Sequence, residues 1–342
     1  MAAAALTLIL PGLDGRPEWW ADPGFQPDAP ALAAIGARAL RRAQDVPPYL
    51  RLCAQFNLTA GEADPPLAAL WHRVECAGPN DGAWLRADPV HLHAQRDTLV
   101  LFDEAAFELG VAEAAALRAS IDAHLAPDGL VLQCGAVPTH WYLRLPSPPA
   151  LRTAPPDSVR GRDIRACLPQ GPDARRWRAL MNEAQMVLHE HPVNRERGAR
   201  GEPEINSVWF WGGGAVQAPL ARPFDAAMGD AAQVPALAAG AGIPWSRLPE
   251  RADDLPRARI LAADGRLAAA VMAGDPAAWC AALRDLDRQW FLPLLRRVQR
   301  GALTALELHG ERFELVLTPA AARRIWRRQA IASVLGAIDP PD

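Results

Sequence analysis

The chain has 342 residues, of which 36 are basic and 39 acidic, so the formal net charge is only -3. Half of the residues are hydrophobic and 22% are charged, which is ordinary for a globular protein. The length indicates two domains, or one domain with a large insertion. No run of like charge extends beyond a few residues, so the composition argues against nucleic acid and acidic membrane surfaces as partners.

The residue types exclude further kinds of chemistry. The basic residues are all arginines, so neither a Schiff-base lysine nor a phosphate-loop lysine can act here. The five cysteines are dispersed without a CxxC pair, which is typical of reduced cysteines in a cytoplasmic protein. The apolar start MAAAALTLIL lacks a basic region and ends at Pro11-Gly12, which favours a core strand over a signal peptide. No run approaches the roughly 20 apolar residues of a membrane span.

The first half of the chain predicts a strand, a helix and then a smaller α+β unit. Ala5 to Leu10 is a continuous apolar run, as expected of a strand buried on both faces of a parallel sheet. A helix is predicted over Pro30 to Gln44, and the turn cluster Gly78 to Gly82 is a candidate domain boundary. The later patterns predict a helix at Glu113–Leu125. They also predict four strands, at Trp84–Val90, Leu99–Phe102, Leu130–Cys134 and Trp141–Leu145.

The second half begins with an amphipathic helix after Asp173, which Pro192 ends. A strand at Ile205–Trp211 then runs into three glycines. A long helix is predicted at Pro276–Arg300, with a kink at Pro293. The remaining patterns predict a helix near Ala231–Ala239, apolar runs near Ile260 and at Leu267–Met272, strands at Leu303–Leu308 and Phe313–Leu317, and a last helix after Pro319.

The most distinctive stretch is His191 to Gly214, which reads HPVNRERGARGEPEINSVWFWGGG. Its arginines and asparagines could present hydrogen-bond donors to a carboxylate or a phosphate, or they could be solvated loop residues: Arg195, Arg197, Arg200, Asn194, Asn206. The glycines predict either a tight connection after the strand or a close approach of the backbone to a ligand. Trp209 and Trp211 are expected to pack in the core.

Two histidine pairs are possible metal ligands, but neither predicts a site by itself. His91 and His93 would share one face of a strand, yet no third ligand is near in the sequence. His189 and His191 would point apart on a helix and could meet only if the helix ended between them. No serine lies in a glycine-flanked turn after a strand, so no serine nucleophile is predicted.

The stretch from His191 to Gly214 resembles archaeal-type cofactor-independent phosphoglycerate mutases, which belong to the alkaline phosphatase superfamily. The resemblance lies in the HPVN motif, in the arginine and the glycine-containing loop that follow it, and in the asparagine before the W-x-W-G-G tract. Weaker likenesses are the segments 4–15 and 277–295 and the Asp88-Pro89 pair. The pattern also resembles bacterial RpfE-type regulatory proteins. The resemblance implies an α/β fold, in which an alkaline-phosphatase-like parallel-sheet core (1–74 and 215–342) carries an inserted α+β domain (75–214).

Catalysis in that superfamily uses two divalent metals, held by Asp and His residues, and a serine nucleophile. Here the first strand runs into Pro11, and Asp14 comes a few positions late. The nucleophile region, 46–64, has no serine and only Thr59. Asp275 stands where an Asp-x-x-x-His motif is expected, and 315–324 has no Asp-His pair. The resemblance therefore implies a relative without metal or other cofactor.

These patterns lead us to expect a pseudoenzyme: a non-catalytic phosphoglycerate-mutase-like protein with a regulatory role in the bacterial cytoplasm. Its partner would be a phosphorylated or carboxylated small molecule, or a protein, in a cleft between core and insertion. The expected ligand contacts are His191, Asn194, Arg197, Asn206 and the backbone of Gly212, Gly213 and Gly214. The alternative is a phosphomutase or phosphatase whose metal ligands are rebuilt from Asp14, Asp275, His91, His93 or His189.

Overall fold

The computed structural model describes residues 4–44, 46–58, 63–76, 82–95, 98–160, 163–216, 218–229 and 233–336. The chain divides into two compact units. Unit 1 comprises Met1–Asn57 and Ala221–Asp342, and unit 2 comprises Leu58–Leu220. Thr59 and the predicted turn before Gly82 lie outside the described residues.

The strands, in chain order, are β1 (Ala5–Ile9), β2 (Leu40–Ala43), β3 (Ala83–Ala94), β4 (Leu99–Phe102), β5 (Val131–Cys134), β6 (Trp141–Leu145), β7 (Ser207–Gly214), β8 (Ala226–Gly229), β9 (Trp245–Ser246), β10 (Arg259–Ala263), β11 (Ala305–His309) and β12 (Phe313–Leu317). The α-helices are α1 (Pro17–Trp20), α2 (Pro30–Arg38), α3 (Pro48–Gln55), α4 (Leu67–Cys76), α5 (Val111–Leu125), α6 (Pro156–Val159), α7 (Ala174–His189), α8 (Pro192–Ala199), α9 (Gln233–Ala241), α10 (Arg266–Ala273), α11 (Pro276–Leu286), α12 (Leu292–Gln299), α13 (Pro319–Ala322) and α14 (Ile331–Leu335).

Unit 1 is built on a seven-stranded sheet in the order β2-β12-β11-β1-β10-β8-β9. β1 lies in the middle and pairs in parallel with β10 and β11, while β12 returns antiparallel to β11. Leu6 and Leu8 are almost fully buried, because helices cover both faces of such a sheet. The first predicted strand is therefore confirmed, and with it the α/β class.

The turn after β1 is held tightly against the core of unit 1. Gly12 has a φ of +81°, and a Cβ there would lie 2.6 Å from the backbone nitrogen of Ala268 in α10. Its carbonyl accepts a 2.7 Å hydrogen bond from the indole of Trp279, in α11. A residue without a side chain is therefore required at this position.

The long helix predicted at 276–300 is interrupted by a π turn, Asp287–Phe291, between α11 and α12. The π turn comes directly before Pro293, which has no N–H to continue the regular ladder. The buried carboxylate of Asp287 accepts hydrogen bonds from the backbone nitrogens of Ala31 (3.1 Å) and Leu32 (2.8 Å). The π turn thus places a carboxylate at the first turn of α2, where it satisfies two free N–H groups.

The helix predicted over 30–44 is wrong in its second half. α2 ends at Arg38, Ala39 is extended, and Leu40–Ala43 form the edge strand β2 against β12. The prediction failed because the partner strand lies far along the chain, and pairing overrides the helical preference of an alanine- and arginine-rich segment.

Unit 2 is built on a second sheet in which the long strand β3 pairs antiparallel with β4, β6 and β7. β5 pairs with β6, which confirms the predicted strand pair there. α4 packs on β3 and β7, so unit 2 starts before the predicted boundary at 75 and ends after 214. The three glycines lie inside β7, where Gly214 is opposite Trp84, and not in a connection after the strand. No helix among the described residues is long and apolar enough to cross a membrane.

Candidate functional site

The HPVN motif forms the junction between α7 and α8. His191 is the residue before α8, and its Nδ1 accepts a 3.2 Å hydrogen bond from the backbone nitrogen of Val193. Its Nε2 lies 3.0 Å from the hydroxyl of Ser120, in α5. Asn194 is buried, donates to the carbonyls of Leu188 and Ile205, and accepts from the nitrogen of Ile205. Both side chains therefore tie α8 to its neighbours.

Arg197 is buried at the centre of a set of protein acceptors. Only 1% of it is exposed. Its Nε donates to the carbonyl of Pro203 at 2.8 Å, and its Nη1 donates to the carbonyl of Glu108 at 3.0 Å and to the carboxylate of Glu113 at 2.8 Å. These contacts close the loop after α8 and hold it against the start of α5. The arginines of the HPVN segment are thus not all solvated, since Arg197 is buried and fixes the loop after α8 by its hydrogen bonds.

Asn206 and the glycines serve the strand pairing and the packing around β7. The amide of Asn206 accepts from the nitrogen of Leu92 and donates to its carbonyl, at 2.7 and 2.9 Å, and so continues the β3–β7 ladder beyond its last backbone pair. Gly212 has a φ of +66°, and a Cβ there would lie 3.3 Å from α4. The close backbone approach that the glycines predict is therefore made to a helix of the same unit.

The aromatic residues beside the glycines divide between the two faces of the sheet. Phe210 meets Trp177 of α7 edge-on, with ring centroids 5.1 Å apart. The indole of Trp209 donates to the carbonyl of Ala154 at 2.8 Å. Trp209 and Trp211 are 1% and 3% exposed, so the expectation that these two tryptophans pack in the core is confirmed. The side chains of Asn194 and Arg197 thus already make hydrogen bonds inside unit 2. That the predicted ligand set contacts a ligand stays a prediction.

A second group of polar residues lies where β1 and β11 end, in unit 1. Asp14 follows β1 and is 2% exposed. One of its oxygens accepts from the backbone nitrogen (2.9 Å) and from the Nε (3.1 Å) of Arg312. Burial raises the pKa of Asp14, and the bonds from Arg312 oppose this. The carboxyl ends of parallel strands are the usual ligand edge of an open α/β sheet, and here an arginine holds the first carboxylate of that edge.

Arg51, in α3, is the most unusual side chain of this edge. It is 8% exposed, and its Nη2 donates to the carbonyls of Gly310 and Glu311. Its Nε and Nη1 are buried and have no hydrogen-bond partner within the described part of the chain. Burial lowers the pKa of Arg51, although Asp14 and two glutamates favour its charge. His309, also buried, lies 3.7 Å from Glu307 and 3.8 Å from Glu314.

The other carboxylates near the sheet edge are held in similar ways. Asp264 follows β10, and both of its oxygens accept hydrogen bonds from the side chain of Arg266, with the shortest contact at 2.6 Å. Asp275 accepts a 2.9 Å bond from the nitrogen of Ala278 and caps α11. Each carboxylate of this edge therefore already balances an arginine or a helix terminus.

Unit 2 contains a buried ionic network that the sequence did not reveal. Arg86 and Asp88, two apart on β3, are joined by contacts of 2.8 and 2.7 Å. The indole of Trp211 donates to the other oxygen of Asp88 at 2.6 Å, and the guanidinium of Arg86 lies over the rings of Tyr142 and Trp211. Burial lowers the pKa of Arg86, but Asp88, Tyr142 and Glu75 together outweigh burial and raise the pKa, so the guanidinium stays charged.

His140 extends this network toward the surface. Its Nδ1 lies 2.6 Å from the carboxylate of Glu75, and its Nε2 lies 3.3 Å from that of Glu104. Burial lowers the pKa of His140, but the bonds to Glu104 and Glu75 outweigh it and raise the pKa to about 9. The same contacts lower the pKa of Glu104 to about 2, against the effect of its own burial. His140 is therefore a cation near neutral pH.

Comparisons with known proteins find matches to parts of this chain. Residues 77–194 match the family model of 2,3-bisphosphoglycerate-independent phosphoglycerate mutase. A probable 2,3-bisphosphoglycerate-independent phosphoglycerate mutase from Geobacter sulfurreducens is 34% identical over 149 residues, which cover 44% of this chain and 37% of that protein. The chain is a relative of the cofactor-independent phosphoglycerate mutases. The predicted resemblance to these mutases is confirmed, and the resemblance to RpfE-type regulatory proteins stays a prediction.

Two further comparisons agree. A 2,3-bisphosphoglycerate-independent phosphoglycerate mutase from Methanothrix thermoacetophila is 42% identical over 60 residues, or 18% of this chain and 15% of that protein. The matched segments thus span well under half of these two relatives. The cofactor-independent phosphoglycerate mutase of Thermoplasma acidophilum superposes on 99% of this chain and 96% of its own, with a TM-score of 0.50 and 17% identity. That likeness shows the fold, an α/β architecture like that of this phosphoglycerate mutase.

The residues at the sheet edge do not fit the pair of divalent metals that the resemblance implies. A metal pair requires carboxylates and imidazoles that converge with free oxygen or nitrogen atoms. Arginines instead bind Oδ2 of Asp14 and both oxygens of Asp264, and Asp275 caps a helix. Oδ1 of Asp14 is buried without a hydrogen-bond partner in the described chain, but a single free oxygen does not make a metal site. Within the described ranges, no three His, Cys, Asp or Glu side chains are grouped as a metal would require. His91, His93 and His189 belong to unit 2, whereas Asp14 and Asp275 belong to unit 1.

The sequence did not reveal the two arginines, Arg312 and Arg51, that lie at the edge of the sheet in unit 1 where β1 and β11 end. Arg312 and Asp14 are 298 positions apart, and Arg51 reaches Gly310 from a helix that no pattern connects to β11. The only sequence signal was the position of Asp14 after the first strand. The Asp88-Pro89 pair was noticed, but its partner Arg86 was not.

Proposed function

We propose that this chain is a non-catalytic relative of the phosphoglycerate mutases, which binds a phosphorylated or carboxylated small molecule, or a protein partner, in a regulatory role. The observation that carries the proposal is the state of the carboxylates at the sheet edge. Asp14 is bound by Arg312, and Asp264 by Arg266. A guanidinium beside a carboxylate already provides the positive charge that a metal ion would provide, but it cannot coordinate and activate a nucleophile as a metal ion does.

The ligand class follows from the donors at the same edge. Arg51 has two buried N–H groups without hydrogen-bond acceptors in the described chain. An unsatisfied buried donor is costly, and an anionic oxygen is the partner that a guanidinium binds best. A phosphate or carboxylate is therefore the ligand that this proposal expects.

The first test separates a pseudoenzyme from an enzyme with a rebuilt metal site. Purified protein is analysed for Mn, Zn, Co and Mg and assayed for phosphoglycerate mutase and for p-nitrophenyl phosphate hydrolysis, with and without chelator. The proposal expects less than a stoichiometric amount of metal and no chelator-sensitive activity. About two metal equivalents with activity that the chelator abolishes would show that the chain is a phosphomutase or phosphatase.

The second test locates the ligand. Thermal unfolding is measured against a panel of phosphorylated and carboxylated metabolites, because a ligand at ~100 times its Kd adds about 2.7 kcal/mol of stability. Arg51→Met should abolish the shift, measured against the melting temperature of the unliganded variant. Arg195→Met serves as the matched control, since Arg195 is exposed on α8, which begins in the HPVN motif. If Arg195→Met alone abolished the shift in melting temperature, the ligand would bind at the HPVN segment instead. If no compound shifted the melting temperature, a protein partner would be the remaining alternative.

A further inference from the structure

A short exposed segment of unit 1 combines two large apolar side chains with four arginines. Residues 323–328, which we call the RRIWRR segment, lie between α13 and α14 and read Arg-Arg-Ile-Trp-Arg-Arg. Ile325 is 63% exposed and Trp326 is 74% exposed. The surrounding stretch from Thr318 to Gly336 contains no Asp or Glu. Apolar side chains rimmed by charge are typical of an interaction site and not of ordinary protein surface.

The neighbouring elements add positive charge on the same side of unit 1. α13 and α14 both pack on α2. Arg38, the last residue of α2, donates to the carbonyl of Ala322 at 3.2 Å. Arg41 of the edge strand β2 reaches the carbonyl of Ser333 at 3.5 Å, and β2 is exposed along its length. Burial lowers the pKa of Arg38, and the nearby positive charge of Arg328 lowers it further. Arginines from three elements therefore share one surface.

The arginines of the RRIWRR segment form no ion pair with the part of the chain that the structure describes. Within the described ranges, no ion pair includes Arg323, Arg324, Arg327 or Arg328. Elsewhere in unit 1, exposed arginines do pair, as Arg42 does with Glu314 and Arg259 with Asp225. A partner that binds this segment must therefore be negatively charged and must also bury the apolar side chains of Ile325 and Trp326.

A lipid surface meets both requirements better than the other anionic partners. A single-stranded nucleic acid would stack on Trp326, but it offers nothing to the aliphatic side chain of Ile325. At an anionic bilayer, tryptophan and isoleucine insert between headgroups while arginines bind the phosphates above them. We propose that the RRIWRR segment is a peripheral binding site for anionic phospholipid surfaces. This inference is independent of whether unit 1 binds a small anion, because it rests on a different surface. It differs from the sequence-based expectation of no membrane partner, which considered only runs of charge along the chain.

The test uses vesicle co-sedimentation of the full chain. Vesicles of phosphatidylcholine mixed with phosphatidylglycerol are compared with vesicles of phosphatidylcholine alone. Binding should require phosphatidylglycerol and should weaken in high salt, which screens surface charge. Each arginine near such a surface strengthens binding about five-fold, so Arg327→Glu with Arg328→Glu should weaken it by at least about 25-fold. Trp326→Ala should weaken binding even to vesicles rich in phosphatidylglycerol.

A matched control makes the result specific to the segment. Arg175 and Arg176 of α7 are also adjacent and exposed, so their double change to glutamate alters the net charge equally and should leave vesicle binding unchanged. Circular dichroism confirms that each variant is folded. Equal binding by the two double variants would overturn the proposal, as would binding to pure phosphatidylcholine. Tighter binding of a single-stranded oligonucleotide than of vesicles, or a dimer in solution that Trp326→Ala dissociates, would also overturn it.

Discussion

The hydrogen bonds of His140 predict a specific dependence of the stability of unit 2 on pH. Both ring nitrogens face carboxylates, and the pKa of His140 is raised from 6.5 to about 9. A raised pKa in the folded state means that the folded protein holds a proton that the unfolded chain has released. The free energy of unfolding is therefore largest below pH 6.5 and is lost as the pH rises from 6.5 toward 9.

The magnitude follows from the size of the shift. One pKa unit corresponds to about 1.4 kcal/mol, so the shift sets an upper limit of roughly 3.4 kcal/mol for this histidine. The side chain is 14% exposed, so solvent screening reduces the effect only modestly, and we expect a loss of about 2–3 kcal/mol across this range. Removing the imidazole should remove the loss.

The assay is urea unfolding, followed by tryptophan fluorescence, at pH 6.5 and at the upper end of the range. Wild type is compared with His140→Gln and with His93→Gln, a control on β3 whose side chain is exposed in the same unit. His93→Gln should keep the wild-type loss, whereas His140→Gln should lose less than about 0.5 kcal/mol between the two pH values. If His140→Gln loses as much free energy of unfolding between the two pH values as wild type does, the assignment of the proton to His140 is refuted.

Three further changes test the packing of the two units. Arg197→Ala should lower the free energy of unfolding of unit 2 by about 2–4 kcal/mol, since it leaves the carbonyls of Pro203 and Glu108 without their donor. Glu113 keeps its contact with Arg200. The exposed Arg195→Ala should cost less than ~0.5 kcal/mol, and equal costs in denaturant unfolding would contradict the buried role of Arg197. Gly213→Ala should destabilise by about 1–3 kcal/mol, because its Cβ would lie 2.8 Å from Leu85 and from Pro149, and Gly265→Ala, with open space around it, should be nearly neutral in the same measurement. Asp287→Ala should cost about 1–2 kcal/mol through the two N–H groups of α2 that lose their acceptor, and an unchanged melting temperature would show that water replaces the carboxylate.

The strands of unit 1 show how far the sequence could predict this fold. β1, β10 and β12 are apolar runs, and their burial follows directly from composition. β2 and β9 are exposed and carry no such pattern; only pairing with β12 and β8 makes them strands. Local patterns thus identify the strands that a sheet buries, whereas edge strands depend on partners that are distant in the chain.

The site shows the same limit more strongly. The HPVN segment was singled out because its residue types are chemically versatile, and its hydrogen bonds turn out to be internal. An asparagine or arginine looks the same in a sequence whether it binds a ligand or a backbone carbonyl. The pairing of Asp14 with Arg312 joins the two ends of the chain, so only the folded structure brings the two charges together.

Metal content measured together with chelator-sensitive activity tests the central claim most directly. The account predicts that protein dialysed against Mn and Mg retains less than one equivalent of either and has no mutase or phosphatase activity. It also predicts that Arg312→Ala, which removes the side-chain hydrogen bond to Oδ2 of Asp14, does not create activity, since no group of ligands surrounds that carboxylate in the described chain. Wild-type protein that holds about two metal ions and loses activity with them would contradict the account.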